Sequence, residues 1–176
     1  LFTHGRLEAG KGIETVVSVW KNLESDPHTQ WKSKLIIYGT GLLEKTLKDQ
    51  WIDIQPYDNE TTLRDIANSG VSSLAIYAST IDAFGIAPLE AQSTGISTLI
   101  LDRGGARETL LSDVSGECVG RLVDTESELC ATAWYFINHK KFPKNMSIVN
   151  FSHTIDYFTL QRLSSDLLSV ISKTRP

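Results

Sequence analysis

The sequence predicts an α/β protein built on one parallel, doubly wound sheet. Short apolar segments of strand length alternate with amphipathic helical segments along most of the 176 residues. The strand segments are almost wholly apolar, which indicates a sheet that helices cover on both faces. No internal repeat or linker divides the chain, and its length suits a single domain. We therefore expect one Rossmann-like domain over residues 1–176.

The strands and helices follow from the spacing of apolar residues. Strands are predicted at 1–4, 34–39, 51–55, 72–78, 97–102 and 117–124, the last at an edge of the sheet. Helices with one apolar face are predicted at 10–23, around 42–48, at 60–70 and at 88–95. Helical patterns fill most of 126–173, and the amphipathic part at 156–173 is expected to pack toward another domain. The chain does not begin with Met and opens within a predicted strand, so we expect it to be part of a longer polypeptide.

Composition argues against several classes of protein. Lys and Arg number 17 and Asp and Glu 21, which gives a net charge of −4 and a pI of about 5.5. Binding to nucleic acid regardless of sequence requires excess positive charge, so no nucleic-acid partner is expected. Two cysteines rule out a disulfide framework and indicate a reducing compartment. The four histidines lack the spacing of metal ligands, and no metal site is expected.

The loop after the first predicted strand brings two cations to the start of a helix. Arg6 and Lys11 lie between glycines in the segment HGRLEAGKG, residues 4–12. The positive end of the helix dipole repels cations, so this placement favours an anion between them. The planar fork of Arg and the point charge of Lys both suit phosphate oxygens. The alternative, two surface cations beside flexible glycines, stays open.

The second predicted strand runs into a Gly-x-Gly sequence at Gly39 and Gly41. The third glycine of the dinucleotide-binding fingerprint is absent, and no acidic residue ends the next strand at the expected place. A tight turn that binds no ligand is the favoured explanation of the two glycines taken alone. The pattern therefore disfavours a nicotinamide cofactor.

Two carboxylates, Asp82 and Glu90, flank Gly85 and a predicted helix start. At 1.5 Å per helical residue they lie up to about 12 Å apart. This is too far for the two carboxyl groups to share a proton or to act as the acid and nucleophile of a glycosidase. This separation suits hydrogen bonds to both ends of an elongated, hydroxyl-bearing ligand. Gly85 allows close approach, and the N–H groups of Ile86 and Ala87 can point at ligand oxygens. The alternative makes Glu90 a surface residue and Asp82 a helix cap.

A fourth loop, at 101–110, carries Gly104, Gly105 and Glu108, and its glycines are expected to serve packing first. In this order and spacing, the four loops resemble the C-terminal half of a retaining GT-B glycosyltransferase of the family-4 or group 1 type. The resemblance covers nearly the whole chain. Its best marker is DAFGIAPLEA at 82–91, which is similar to the family motif E-x-F-G-x-x-x-x-E-A. The G-R…K-G of the first loop and the G-G-x-x-E of the fourth also match.

The resemblance implies a role for each matched residue. Arg6 and Lys11 would hold the diphosphate of a nucleotide-sugar donor and stabilise the charge that grows as the glycosidic bond breaks. Glu90 would accept both ribose hydroxyls, and the loop at 55–57 would face the base. Asp82 would hold hydroxyls of the transferred sugar, although the family usually has the longer Glu there. Catalytic roles thus fall to Arg6, Lys11 and Asp82, and donor binding to Gly5, Gly39, Gly41, Phe84, Gly85, Ile86, Ala87 and Glu90.

The resemblance also implies what the whole enzyme does. It would transfer a hexosyl group from a UDP- or GDP-sugar to a glycan or lipid-linked acceptor, in cell-surface polysaccharide synthesis and without a metal or other cofactor. It would be cytoplasmic, with peripheral attachment to the inner face of the membrane as an option. The acceptor would sit on an N-terminal domain, so this chain alone is expected to bind nucleotide and transfer little sugar. Two alternatives remain: a non-catalytic subunit that binds nucleotide-sugars, and a dinucleotide-binding oxidoreductase domain.

Overall fold

The structure is a computed structural model that describes residues 1–30, 32–48, 50, 52–109 and 120–139, with only the backbone at 107 and 108. Within these residues, six parallel strands form one sheet in the order β3-β2-β1-β4-β5-β6. The strands are β1 Phe2–His4, β2 Ile36–Tyr38, β3 Asp53–Gln55, β4 Leu74–Tyr77, β5 Ser97–Leu101 and β6 Gly120–Val123. The chain order reverses between β1 and β4, which confirms the Rossmann-like fold and the edge position of the last strand.

Helices cover both faces of the sheet because the strands are apolar on both sides. In β4, Leu74 and Ile76 face one core cluster, whereas Ala75 and Tyr77 face the other. Helices α1, α2 and α5 pack on the first cluster, and α3, α4 and a short 3-10 turn pack on the second. The helices are α1 Ile13–Ser25, α2 Glu44–Lys48, α3 Thr62–Asn68, α4 Ile86–Ser93 and α5 Glu126–His139, and the turn is Ala106–Thr109. The predicted segment 156–173 and residues 117–119 lie outside the described residues.

Two helix starts differ from the sequence prediction. Helix α1 begins at Ile13 and not at residue 10, because Gly12 adopts a left-handed φ of 71° that does not continue a right-handed helix. Helix α4 begins at Ile86 and not at residue 88. Pro88 therefore lies in the first turn. Backbone N–H groups there have no acceptor within the helix, so proline, which lacks the N–H, costs no hydrogen bond. None of the helices in the described part of the chain has the length and apolar character needed to cross a membrane.

The loops after β1 and β2 are joined by their backbones. The Gly5 N–H donates to the Tyr38 carbonyl at 3.0 Å, and the Leu7 N–H donates to the Thr40 carbonyl at 2.9 Å. A Cβ at Gly39 would lie 1.9 Å from the Gly5 carbonyl oxygen, so only glycine permits this approach. The two loops thus form a single rim at the carboxyl edge of the sheet.

Candidate functional site

Most of the predicted site residues lie at the carboxyl ends of β1 and β4, where the strand order reverses, whereas Gly39 and Gly41 follow β2. The loops that leave these strands contact each other, since the Thr80 N–H donates to the Gly10 carbonyl at 2.9 Å. The loop after β4 is also bonded to the loop after β5, because the Gly105 N–H donates to the Asp82 carbonyl at 3.0 Å. In open α/β sheets, ligands bind at such a reversal point.

A small pocket of about 70 Å³ opens between the two loops. Six of the residues predicted for the site line it, namely Gly5, Arg6, Lys11, Asp82, Gly85 and Ala87. Gly39, Gly41, Phe84, Ile86 and Glu90 are predicted site residues outside this lining. The charged side chains of the lining are Arg6, Lys11, Arg103 and Asp82. Three cations and one anion give the pocket a net charge of +2, in a chain whose total is −4.

Lys11 and Asp82 form an ion pair in the pocket. The Lys11 Nζ donates to the Asp82 Oδ1, and both side chains are partly buried. Burial raises the pKa of Asp82, but the hydrogen bond and charge of Lys11, with help from Ser79 and Arg6, bring it below its usual value. Sequence reasoning assigned these two residues to different parts of a ligand. The structure brings them into direct contact, so each offsets the charge of the other.

Arg6 and Arg103 present more accessible positive charge. The Arg6 side chain is 71% exposed and pairs with Glu8 at 3.5 Å, a surface contact that holds it weakly. The guanidinium of Arg103 donates to the Asp102 carbonyl at 2.8 Å. Sequence reasoning missed Arg103, although a cation between the end of a strand and a Gly-Gly turn was a usable signal. Both arginines are available to an anion that enters the pocket.

Glu90 is held by two neighbours. The His4 Nε2 lies 3.0 Å from the Glu90 Oε2, and the Tyr57 hydroxyl donates to the same oxygen at 3.2 Å. The His4 Nδ1 lies 2.7 Å from the Tyr77 hydroxyl, and the His4 ring stacks on Tyr57 with centroids 4.5 Å apart. The hydrogen bond from His4 lowers the pKa of Glu90 against the opposing effect of burial. Sequence reasoning weighed His4 only as a metal ligand, although a polar residue that ends a buried strand was the available signal.

The start of α4 supplies backbone donors. Gly85 caps the helix with a left-handed φ of 73° and is buried. Ile86 and Ala87 follow in the first turn, where N–H groups have no acceptor within the helix. Ala87 also lines the pocket. Among the residues that the structure describes, no group of three or more His, Cys, Asp or Glu side chains could hold a metal ion.

Comparison with known proteins places this chain in a family. Residues 1–147 match the family described as glycosyl transferases group 1. No sequence among the curated proteins matches the chain.

Several solved structures share the fold. Anabaena Alr3699/HepE in complex with UDP and glucose has a TM-score of 0.69 and 16% identity over 97% of this chain and 47% of its own. The pneumococcal O-GlcNAc transferase GtfA in complex with UDP and GlcNAc has a TM-score of 0.66 and 18% identity over 97% of this chain and 35% of its own. The catalytic domain of the Helicobacter pylori cholesterol-α-glucosyltransferase has a TM-score of 0.61 and 19% identity over 89% of this chain and 97% of its own.

The chain thus spans about half of the first of these proteins and a third of the second. At these identities the likeness to the solved structures shows the fold, whereas the match over residues 1–147 shows the family. The chain belongs to the glycosyl transferases group 1 family, with the Rossmann-like fold of a GT-B glycosyltransferase domain.

Proposed function

We propose that the chain is the C-terminal, donor-binding domain of a retaining glycosyltransferase that uses a UDP- or GDP-sugar. The observation that carries this proposal is the cationic pocket at the reversal point of the sheet, in a chain of negative net charge. A nucleoside diphosphate carries its negative charge between a sugar and a ribose, both rich in hydroxyls. The pocket offers cations for the phosphates, and two carboxylates are near for the hydroxyls: Asp82 in the lining, and Glu90 beside the lining residue His4.

The cations would act on the leaving group. As the bond between the sugar and the diphosphate breaks, negative charge accumulates on the phosphate oxygens. Arg6 and Lys11, assisted by Arg103, stabilise that charge in a partly buried pocket where electrostatic interactions are stronger than in water. Lys11 then exchanges part of its bond to Asp82 for a phosphate oxygen. Asp82 is thereby released to accept hydrogen bonds from hydroxyls of the transferred sugar.

Glu90 would bind the ribose of the nucleoside. Its lowered pKa keeps it ionised at neutral pH, and both protein hydrogen bonds described above reach Oε2. Oε1 is left as the acceptor for ribose hydroxyls. Because His4 lines the pocket and also contacts Glu90, the ribose site adjoins the phosphate site.

The structure favours this function over a dinucleotide-binding oxidoreductase. The described residues contain two Gly-x-Gly sequences, at 10–12 and 39–41, and neither is followed by the third glycine of the dinucleotide-binding fingerprint. Gly39 and Gly41 both allow close approach between two loops. A Cβ at Gly41 would lie 2.5 Å from the Leu7 carbonyl oxygen. Their role is therefore explained by packing, without a pyrophosphate.

The remaining parts of the proposal rest on the family resemblance. They are transfer of a hexosyl group to a glycan or lipid-linked acceptor, a place in cell-surface polysaccharide synthesis, and no need for a metal. A cytoplasmic location with peripheral attachment to the inner face of the membrane belongs to the same proposal.

Calorimetry with UDP, GDP, ADP and their sugars tests the donor site. We expect UDP or GDP to bind, and Lys11→Ala to weaken that binding about tenfold or more, since a hydrogen bond to a charged group contributes about 1.5–3 kcal/mol. Lys32→Ala is the matched control, because the Lys32 side chain is 81% exposed and pairs with Glu24 outside the pocket. Equal affinity of the wild type and Lys11→Ala for every nucleotide would refute the assigned loop.

A further inference from the structure

We propose that His4 is a positioning residue that orients Glu90 toward the ribose hydroxyls of the donor nucleotide. This inference rests on the proposed function and adds a specific residue to it. His4 is the last residue of β1 and is only 4% exposed. A buried polar ring at this place costs free energy unless its nitrogens are bonded, and here each nitrogen has a partner.

The partners of His4 determine which nitrogen carries the proton. The lowered pKa of Glu90 keeps its carboxylate ionised, and an ionised carboxylate only accepts hydrogen bonds. The His4 Nε2, 3.0 Å from the Glu90 Oε2, therefore carries a hydrogen and donates it. The Tyr77 hydroxyl lies 2.7 Å from the other ring nitrogen, Nδ1.

Aromatic contacts fix the plane of the His4 ring. It stacks on Tyr57 at 25° between planes, and it meets Tyr77 edge-on at 83°. A ring held between two neighbours presents its N–H in one direction. This makes His4 a fixed donor for a side chain on a different element, 86 residues further along the chain.

The fixed donor sets the orientation of the Glu90 carboxylate. Glu90 is 39% exposed, so without restraint it would sample several rotamers. His4 and Tyr57 both donate to Oε2, and among the described residues no hydrogen bond is made to Oε1. One oxygen is anchored to the protein, and the other is left for ligand hydroxyls. We infer that His4 supports discrimination between a ribose and a deoxyribose.

The test compares the affinities of UDP and 2′-deoxy-UDP in matched variants. We expect the wild type to prefer UDP about tenfold, the effect of one hydrogen bond to a charged group. His4→Phe keeps an aromatic ring and removes the donor. It should lose most of this preference, while its affinity for 2′-deoxy-UDP, which keeps the 3′-hydroxyl, falls by a smaller factor than its affinity for UDP. His4→Gln can still donate an amide N–H to Glu90 and should restore part of the preference.

Two further variants separate positioning from folding. His4→Phe leaves the Tyr77 hydroxyl without its partner, so the double variant with Tyr77→Phe removes that defect and should show the same loss of preference. Tyr57→Phe keeps the stacking ring and removes only the second donor, so it should reduce the preference less than His4→Phe does. Far-ultraviolet circular dichroism and urea midpoints verify that each variant folds.

The outcomes also separate this inference from the proposed function. An unchanged preference in His4→Phe, or a parallel loss of affinity for both nucleotides, overturns the positioning role. So does a wild type that binds both nucleotides equally. If Lys11→Ala weakens the binding of UDP but one of these three results is found, the proposed function stands and only the positioning role of His4 fails. If no nucleotide binds to the wild type, the proposed function fails as well.

Discussion

At the scale of single residues, the site depends on how two carboxylates are kept charged. Glu90 receives hydrogen bonds from His4 and Tyr57, and Asp82 receives one from Lys11. Each set of donors outweighs the burial that would otherwise favour the neutral acid. Both groups therefore remain acceptors at neutral pH, as binding to sugar hydroxyls requires.

The lowered pKa of Glu90 predicts how stability changes with pH. The folded state favours the ionised form, so this contribution is complete above the usual pKa of 4.5 and is lost as the pH falls through the lower, folded value. We expect the wild type to exceed Glu90→Gln in free energy of unfolding above that pH, and the difference to shrink below it. The difference should be less than about 1 kcal/mol, since water screens a carboxylate that is 39% exposed.

Urea unfolding at a series of pH values measures this difference. Glu14→Gln, on the exposed side of α1, controls for the loss of one negative charge. A difference between wild type and Glu90→Gln that grows as the pH falls would contradict the prediction.

Sequence alone could predict Lys11, Asp82 and Glu90 as site residues, because Lys11 and Asp82 lie in loops after apolar strands and Glu90 lies in the helix that follows one of those loops. It could not show that Lys11 contacts Asp82, or that His4 contacts Glu90. These contacts depend on β1 lying beside β4, and on which side of α4 faces the sheet. Both are tertiary properties that the spacing of residues in the chain does not encode locally.

At the scale of elements, the start of α1 depends on one close contact with Ala78, the residue that follows β4. A Cβ on Gly12 would lie 2.0 Å from the Ala78 carbonyl oxygen, and the φ of Gly12 is 71°. Sequence reasoning placed this glycine inside the helix, since the apolar pattern does not reveal a left-handed residue. The apolar spacing after Ile13 did predict the body of α1 correctly.

Gly12→Ala should therefore destabilise the protein more than a left-handed conformation alone explains. Gly70 has the same φ of 71° with nothing within 4 Å of an added Cβ, so Gly70→Ala is a matched control. We expect about 1 kcal/mol for Gly70→Ala from backbone strain. For Gly12→Ala we expect about 3 kcal/mol or more, because the backbone of one strand or loop must shift. Urea denaturation measures both losses, and equal losses would show that the contact with Ala78 is unimportant.

At the scale of the whole molecule, the fold is the feature that the sequence predicted best. Six apolar segments and the helices between them correspond to the strands and helices of the described residues. The strand order was predictable only through the fold class, since no local pattern distinguishes a central strand from its neighbours. The pocket opens at the carboxyl edge, so the surface around it is where an acceptor would have to approach.

The 176-residue chain, tested by itself, should bind UDP without transferring sugar. Its cationic pocket is the proposed site of the donor's diphosphate, while the resemblance assigns the acceptor to a different domain. Calorimetry with UDP measures binding, and release of UDP from UDP-glucose in the presence of candidate acceptors measures transfer. Lys11→Ala controls for release that does not involve the pocket. Sustained turnover by the isolated chain would contradict this expectation.

The joined rim of the β1 and β2 loops has a consequence for the speed of ligand capture. Backbone hydrogen bonds already hold the segment that carries Arg6, while its guanidinium is 71% exposed. Only side-chain rotation, which takes picoseconds to nanoseconds, has to accompany the arrival of a phosphate at Arg6. No microsecond closure of that segment is required. The conformational entropy of this segment is already lost during folding, so binding does not have to order it.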